Sequence, residues 1–194
     1  GATTLSMAVG ALTTGAPTAA STYNVQTTTD RQLATAPATQ QIGGVISAPG
    51  DLVVNSVDAI PSKVNTVAIT SGFTVSTPVP IGGRITLTFP KAYLSAVSSS
   101  SINTFAGKTT ATCVLNAATG TGTKDTVVCT TAVSVLEATT QTLTFIAGAI
   151  TVGGPVAAVT GSTTAGIKVS SSSDRQSLSG GSTVRLGNIL TQAL

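Results

Sequence analysis

Six carboxylates and two cysteines are the most reactive groups this chain offers, and no histidine accompanies them. The acids are Asp30, Asp51, Asp58, Asp125, Glu137 and Asp174. Hydrolysis of a glycoside needs two such groups converging on one bond, and calcium binding needs a local cluster of oxygens. No two of these acids form a recognisable local pair or calcium loop, so a dyad would have to be assembled by the fold. Without histidine, Ser–His and Cys–His nucleophile pairs and most metal constellations are excluded. Two cysteines alone do not complete a zinc site. There is no G-x-S-x-G, and no serine stands three residues before a lysine. GSTTAGIK (161–168) approximates a phosphate loop, but Lys168 stands one position late, Val169 follows it, and no helix is expected beyond it. GTGTK (120–124) sits in an expected hairpin turn. Both read as turn glycines. The expectation is a chain that is not an enzyme, with no catalytic centre, no cofactor and no metal.

The cysteines carry a different chemistry. TTATCVLNAATGTGTKDTVVCTT reads as strand, Gly/Thr-rich turn, strand. With the turn centred near Thr121, Cys113 lies opposite Cys129. Two cysteines in a Thr-rich chain of exported character are expected to be bridged, with two independent buried thiols as the alternative.

The nine basic residues are Arg31, Lys63, Arg84, Lys91, Lys108, Lys124, Lys168, Arg175 and Arg185, and the formal charge is +3. They are scattered singly, without interleaved aromatics. A phosphate-binding surface needs a concentrated basic patch, so no nucleic-acid partner is expected. Charged residues make up 8% of the chain, against about 25% in ordinary soluble domains. Roughly three residues in ten are Ser or Thr, so hydroxyls supply the polarity that charges supply elsewhere. That balance fits an extracellular or cell-surface protein and admits O-linked glycans; no N-x-S/T sequon is present. A chain opening on Gly1 reads as a processed, mature form. The most apolar stretch, Phe145 to Val159, is too short for a membrane span and is broken by Gly153, Gly154 and Pro155.

The elements that position these residues are expected to be strands. Hydrophobic residues are 41% of the chain, but aromatics are only 3% and Trp is absent. Small β-branched residues therefore carry the core, and they suit a pleated sheet. Composition changes near residue 44. Residues 1–44 are rich in Ala, Thr and Gln, with Pro17 and Pro37 as breaks, and read as an N-terminal assembly arm. Within it, Thr3, Leu5, Met7, Val9 and Ala11 alternate with smaller or more polar residues, the period of a one-sided strand that needs an apolar groove. A weaker alternation runs through Tyr23 and Val25. Residues 45–194 show strand signals over 51–58, 66–76, 84–89, 109–116, 125–133, 141–151, 165–170 and 182–187, separated by Gly, Pro and Ser clusters. In RITLTF, Ile85, Leu87 and Phe89 face one way and Thr86 and Thr88 the other. KAYLSAVSSSS (91–101) alone looks briefly helical. Many short strands without alternating helices imply an all-β fold, an antiparallel immunoglobulin-like β-sandwich with an extended N-terminal arm.

TPVPIGGRITLTFP (77–90), TLTFIAGAITVGG (142–154) and TTAGIKVSSSSD (163–174) resemble the Thr/Ser-rich sandwich modules of large microbial and algal surface proteins. The alternating strand ahead of them is similar to that of donor-strand-exchanging pilus and fibril subunits. The resemblance implies an extracellular subunit that stacks into filaments or a surface array, with copies of itself as partners and Leu5, Met7, Val9 and Ala11 as the assembly strand. Forty-four extended residues span over ~100 Å, against a radius of gyration near ~15 Å for the domain, so the arm can reach another subunit. The competing expectation is a carbohydrate-binding or adhesive module, which would present exposed aromatics or calcium ligands.

Overall fold

The computed structural model describes residues 10, 15–25, 34–38, 41–98, 103–105, 109–119, 123–132, 137–159, 166–177 and 180–187. The chain divides into two compact units, Gly1–Ile42 and Gly43–Leu194.

In the first unit, β1 (Thr22–Val25) pairs antiparallel with β2 (Ala34–Ala38), and Thr18 bridges Ile42 through two backbone hydrogen bonds. Pro37, expected to act as a break, lies inside β2. A two-stranded ladder consists of edges only, so a residue without an N–H is tolerated there. The register shifts between Thr22 and Asn24, opposite this part of β2.

The second unit is all-β and built mainly of antiparallel sheets. Its elements are β3 (Gly44–Val45), β4 (Ile69–Thr74), β5 (Arg84–Pro90), β6 (Leu94–Val97), β7 (Asn103–Phe105), β8 (Thr109–Asn116), β9 (Lys124–Thr131), β10 (Thr140–Phe145), β11 (Ile150–Val152), β12 (Lys168–Ser171) and β13 (Asp174–Arg175). Seven strands form one nearly closed sheet in the order β12-β5-β9-β8-β7-β10-β4. β11 pairs with β6, and β13 with β3, the latter pair parallel. No helix occurs among the described residues.

Period-2 patterning sets the interior. Ile85, Leu87, Phe89, Val127, Cys129, Leu143 and Phe145 are fully buried, while Thr86, Thr88, Thr142 and Thr144 lie on the opposite face, half-buried or exposed. All four Phe and Tyr93 are in the core. Phe73 meets Phe105 edge-on at 6.2 Å, and the Phe89 and Tyr93 rings lie parallel at 6.4 Å. The Tyr93 hydroxyl donates to the Val184 carbonyl; burial pushes it up to about 12, so it stays neutral at ordinary pH.

Residues 91–98 are not helical. Ala92 takes a φ of 61°, a left-handed conformation that no α-helix contains. Its carbonyl packs directly on Gly153, where any Cβ would collide with it. A turn from Pro90 to Tyr93 then leads into β6. The expected strands 51–58 and 182–187 reduce to isolated bridges at Leu52, Val53, Thr183 and Leu186. The expected strand 141–151 is two strands, β10 and β11, separated by a turn with Gly148 at φ 81°.

Candidate assembly interface

An assembly that adds a strand needs an open sheet edge and an apolar place for alternate side chains. The outer edges of the seven-stranded sheet are taken. β4 is covered by the preceding segment: Ser47 and Thr74 exchange backbone hydrogen bonds, Gly50 N–H donates to Gly72, and Val53 N–H donates to Thr70. β12 is covered on its far side, where Ile167 and Gly181 exchange bonds and Ser177 N–H donates to Val169. The outer side of β11 is covered by Lys63 to Asn65.

β6 differs. Among the described residues it pairs with β11 alone, and it approaches β8 without pairing to it. Beside the start of β6 lies a cavity of about 270 Å³ lined by Lys91, Ala92, Leu94, Ser95, Ala117, Ala118, Asp125, Gly153 and Gly154. The register of β6 shifts at Ser95, whose hydroxyl turns back to the Thr151 and Val152 carbonyls. Such a bulge bends its strand. Asp125, 2% exposed, fixes both rims: one carboxylate oxygen accepts from Ala92 N–H, the other from Ala118 N–H, both at 2.7 Å.

Asp58 and Asp174 are used in the same way. Asp174 accepts from the N–H groups of Gly44, Ser76 and Thr77, fastening β3 and the chain after β4 to β13. Asp58 accepts from the Thr66 and Val67 N–H groups and the Thr66 hydroxyl, with Lys63 at 3.4 Å. Burial acts to raise the Asp58 carboxyl, but these hydrogen bonds outweigh it and hold it below its ordinary 3.8. Asn65 completes the clamp: its carbonyl accepts from Ile150 N–H, and its amide donates to Val67 and Ile146. The three buried aspartates thus act on separate loops. No group of three or more His, Cys, Asp and Glu that could hold a metal occurs among the described residues.

Cys113 and Cys129 form a disulfide between directly opposed residues of β8 and β9, with Cα atoms 4.0 Å apart. Both are fully buried. Closing a loop with a sequence separation of 16 should contribute roughly 3 kcal/mol by restricting the unfolded chain. Reduction under denaturing conditions, followed by thiol capping and refolding, should lower the unfolding free energy by about that amount. A loss below ~1 kcal/mol would show that the chain-entropy argument does not apply here.

Leu5, Met7, Val9 and Ala11, the expected assembly strand, lie outside the described residues. A second cavity is lined by Ser56, Ala59, Ile60, Pro61, Arg185 and Gly187. No helix among the described residues is long and apolar enough to cross a membrane. In comparisons with protein-family models, curated proteins and solved structures, nothing matched this chain.

Proposed function

We propose that this chain is a non-catalytic structural subunit of an extracellular filament or surface array, polymerising through its N-terminal strand. The observation that carries the reading is the alternating segment Thr3 to Ala11, whose one apolar face has to be buried, at the start of a unit distinct from the compact Gly43–Leu194. The buried disulfide and the hydroxyl-rich, charge-poor composition support an exported setting that also admits O-linked glycans. The use of Asp58, Asp125 and Asp174 as loop clamps supports a structural role for the acids.

The second unit is read as an immunoglobulin-like module, supported by antiparallel strands around an apolar interior. Its disulfide joins neighbouring strands, unlike the sheet-to-sheet bridge of antibody domains. The carbohydrate-binding alternative is disfavoured, because no aromatic among the described side chains is left to stack on a sugar.

Burying Leu5, Met7 and Val9 against a neighbour would contribute about 1.5–3 kcal/mol each. Deleting residues 1–12 should therefore give folded, soluble monomers that do not elongate. The checks are circular dichroism for the fold and negative-stain microscopy for the product. Normal filaments from the truncated chain would end the donor-strand reading.

A further inference from the structure

We propose that the cavity beside Ile60 is the seat of this chain's own residues 188–194, with Ile189 and Leu190 closing over Ile60 and Pro61. The contact does not depend on whether the chain polymerises.

The seat is concave, mostly apolar and open. It encloses about 500 Å³ and is lined by Ser56, Ala59, Ile60, Pro61, Arg185 and Gly187. Ile60 is 53% exposed, and Val57 on the same loop is 51% exposed. Elsewhere the large aliphatic residues of this unit mostly fill the core, as Ile46, Ile69, Ile85, Ile150 and Ile167 do. An isoleucine left at the wall of a hollow is the kind of surface that an aliphatic side chain covers, with wetted area removed on both sides.

The chain itself leads into this hollow. Leu186 is buried and exchanges two backbone hydrogen bonds with Val156, and the next amide, Gly187 N–H, donates to the Ala59 carbonyl at 2.9 Å. Gly187 has a φ of 78°, a left-handed conformation natural to glycine, and its α-carbon faces the Pro61 ring. The residue that lines the cavity is therefore also the one from which residues 188–194 set out. Extended chain advances about 3.5 Å per residue, so Ile189 and Leu190 come within ~7–10 Å of Gly187. Ile60 follows Ala59 directly and lies inside that reach.

The sequence of the segment suits the lining. Asn188 to Leu194 contains Ile189, Leu190 and Leu194, with no charge and no proline. Among the lining residues only Arg185 is charged, and its side chain is exposed. A tethered segment also meets the seat at a high effective concentration, which a second copy would have to match by mass action.

A seated segment would brace the loop that guards β11. Ser62 N–H donates to the Gly153 carbonyl, Val152 N–H to Lys63, and Asn65 N–H to Ile150, so this loop closes the outer edge of β11. Holding Ile60 and Pro61 from outside keeps that edge from pairing with anything else.

The test introduces Ile60→Cys together with Leu190→Cys into the full chain, whose own cysteines are both held in the buried disulfide. A mild oxidant is added, and the products are resolved by non-reducing electrophoresis and mapped by mass spectrometry. The expected product is a bond between the two introduced thiols of one chain. It should form at least tenfold faster than in the control, Ile81→Cys with Leu190→Cys; Ile81 is 58% exposed and does not line the cavity. A rate no faster than the control would overturn the seat. Bonds formed mainly between copies would overturn the chain's own segment as occupant. Hydrogen exchange gives a second reading without cysteines: deleting residues 188–194 should speed exchange of the Ser62 and Lys63 amides at least fivefold and leave Thr86 and Val128 unchanged. Unaltered exchange at Ser62 and Lys63 would contradict the proposal, and this measurement decides the matter should the cysteine variants not fold.

Discussion

Phe89→Ala should lower the unfolding free energy by about 3–5 kcal/mol, the range for a fully buried ring whose cavity does not collapse. Phe89 is fully buried on β5, which is paired on both sides, by β12 and by β9. Its ring lies parallel to that of Tyr93, itself tied to Val184. Neither neighbour is free to relax into the void, because one flank is a hydrogen-bonded ladder and the other a clamped ring. Thr142→Ala, on an exposed position of β10, provides the control and should stay within about 0.5 kcal/mol. Urea unfolding followed by circular dichroism measures both. A loss below ~1 kcal/mol for Phe89→Ala would mean that β5 presents its other face to the core.

Asp174→Asn should be nearly as costly, about 3 kcal/mol or more, although it changes the shape of the side chain very little. One carboxylate oxygen of Asp174 accepts from Gly44, the other from Ser76 and Thr77. A carboxamide keeps one oxygen and turns the other into an NH₂ donor. Whichever way it is oriented, a donor then faces a partly buried backbone N–H and the charge assistance is lost. Hydrogen bonds to charged groups contribute about 1.5–3 kcal/mol each. The damage should be local at first, because these bonds join β3 and the chain after β4 to β13. Hydrogen exchange should speed up at Gly44, Ser76 and Thr77 before the rest of the sheet. Uniform exchange with unchanged stability would show that Asp174 is not what fastens this seam.

Alternation made much of the interior readable from sequence. Ile85, Leu87 and Phe89 recur at every second position, and the same parity places Val127, Cys129, Leu143 and Phe145 inside. The β8–β9 hairpin is equally local: a turn expected near Thr121 is enough to set Cys113 opposite Cys129. What escaped depends on contacts distant in sequence. β6 follows a turn whose left-handed Ala92 is held by Gly153, and nothing near Ala92 announces Gly153. β3 exists only because β13 and Asp174 arrive from the far end of the chain. Asp125 did carry a signal. It shares parity with Val127 and Cys129, so the period that buries those residues also buries its carboxylate and requires donors for it. The cavity beside β6 had no counterpart in the sequence, since its lining comes from four separated stretches of the chain.

Self-assembly is the central claim, and the state of the purified intact chain tests it most directly. Sedimentation velocity across a concentration series, with negative-stain microscopy of the same samples, separates long polymers from discrete species. The predicted result is a concentration-dependent population of unbranched filaments with a regular axial repeat. A single monomeric species that persists at the highest concentration, with no filaments on the grid, would contradict it.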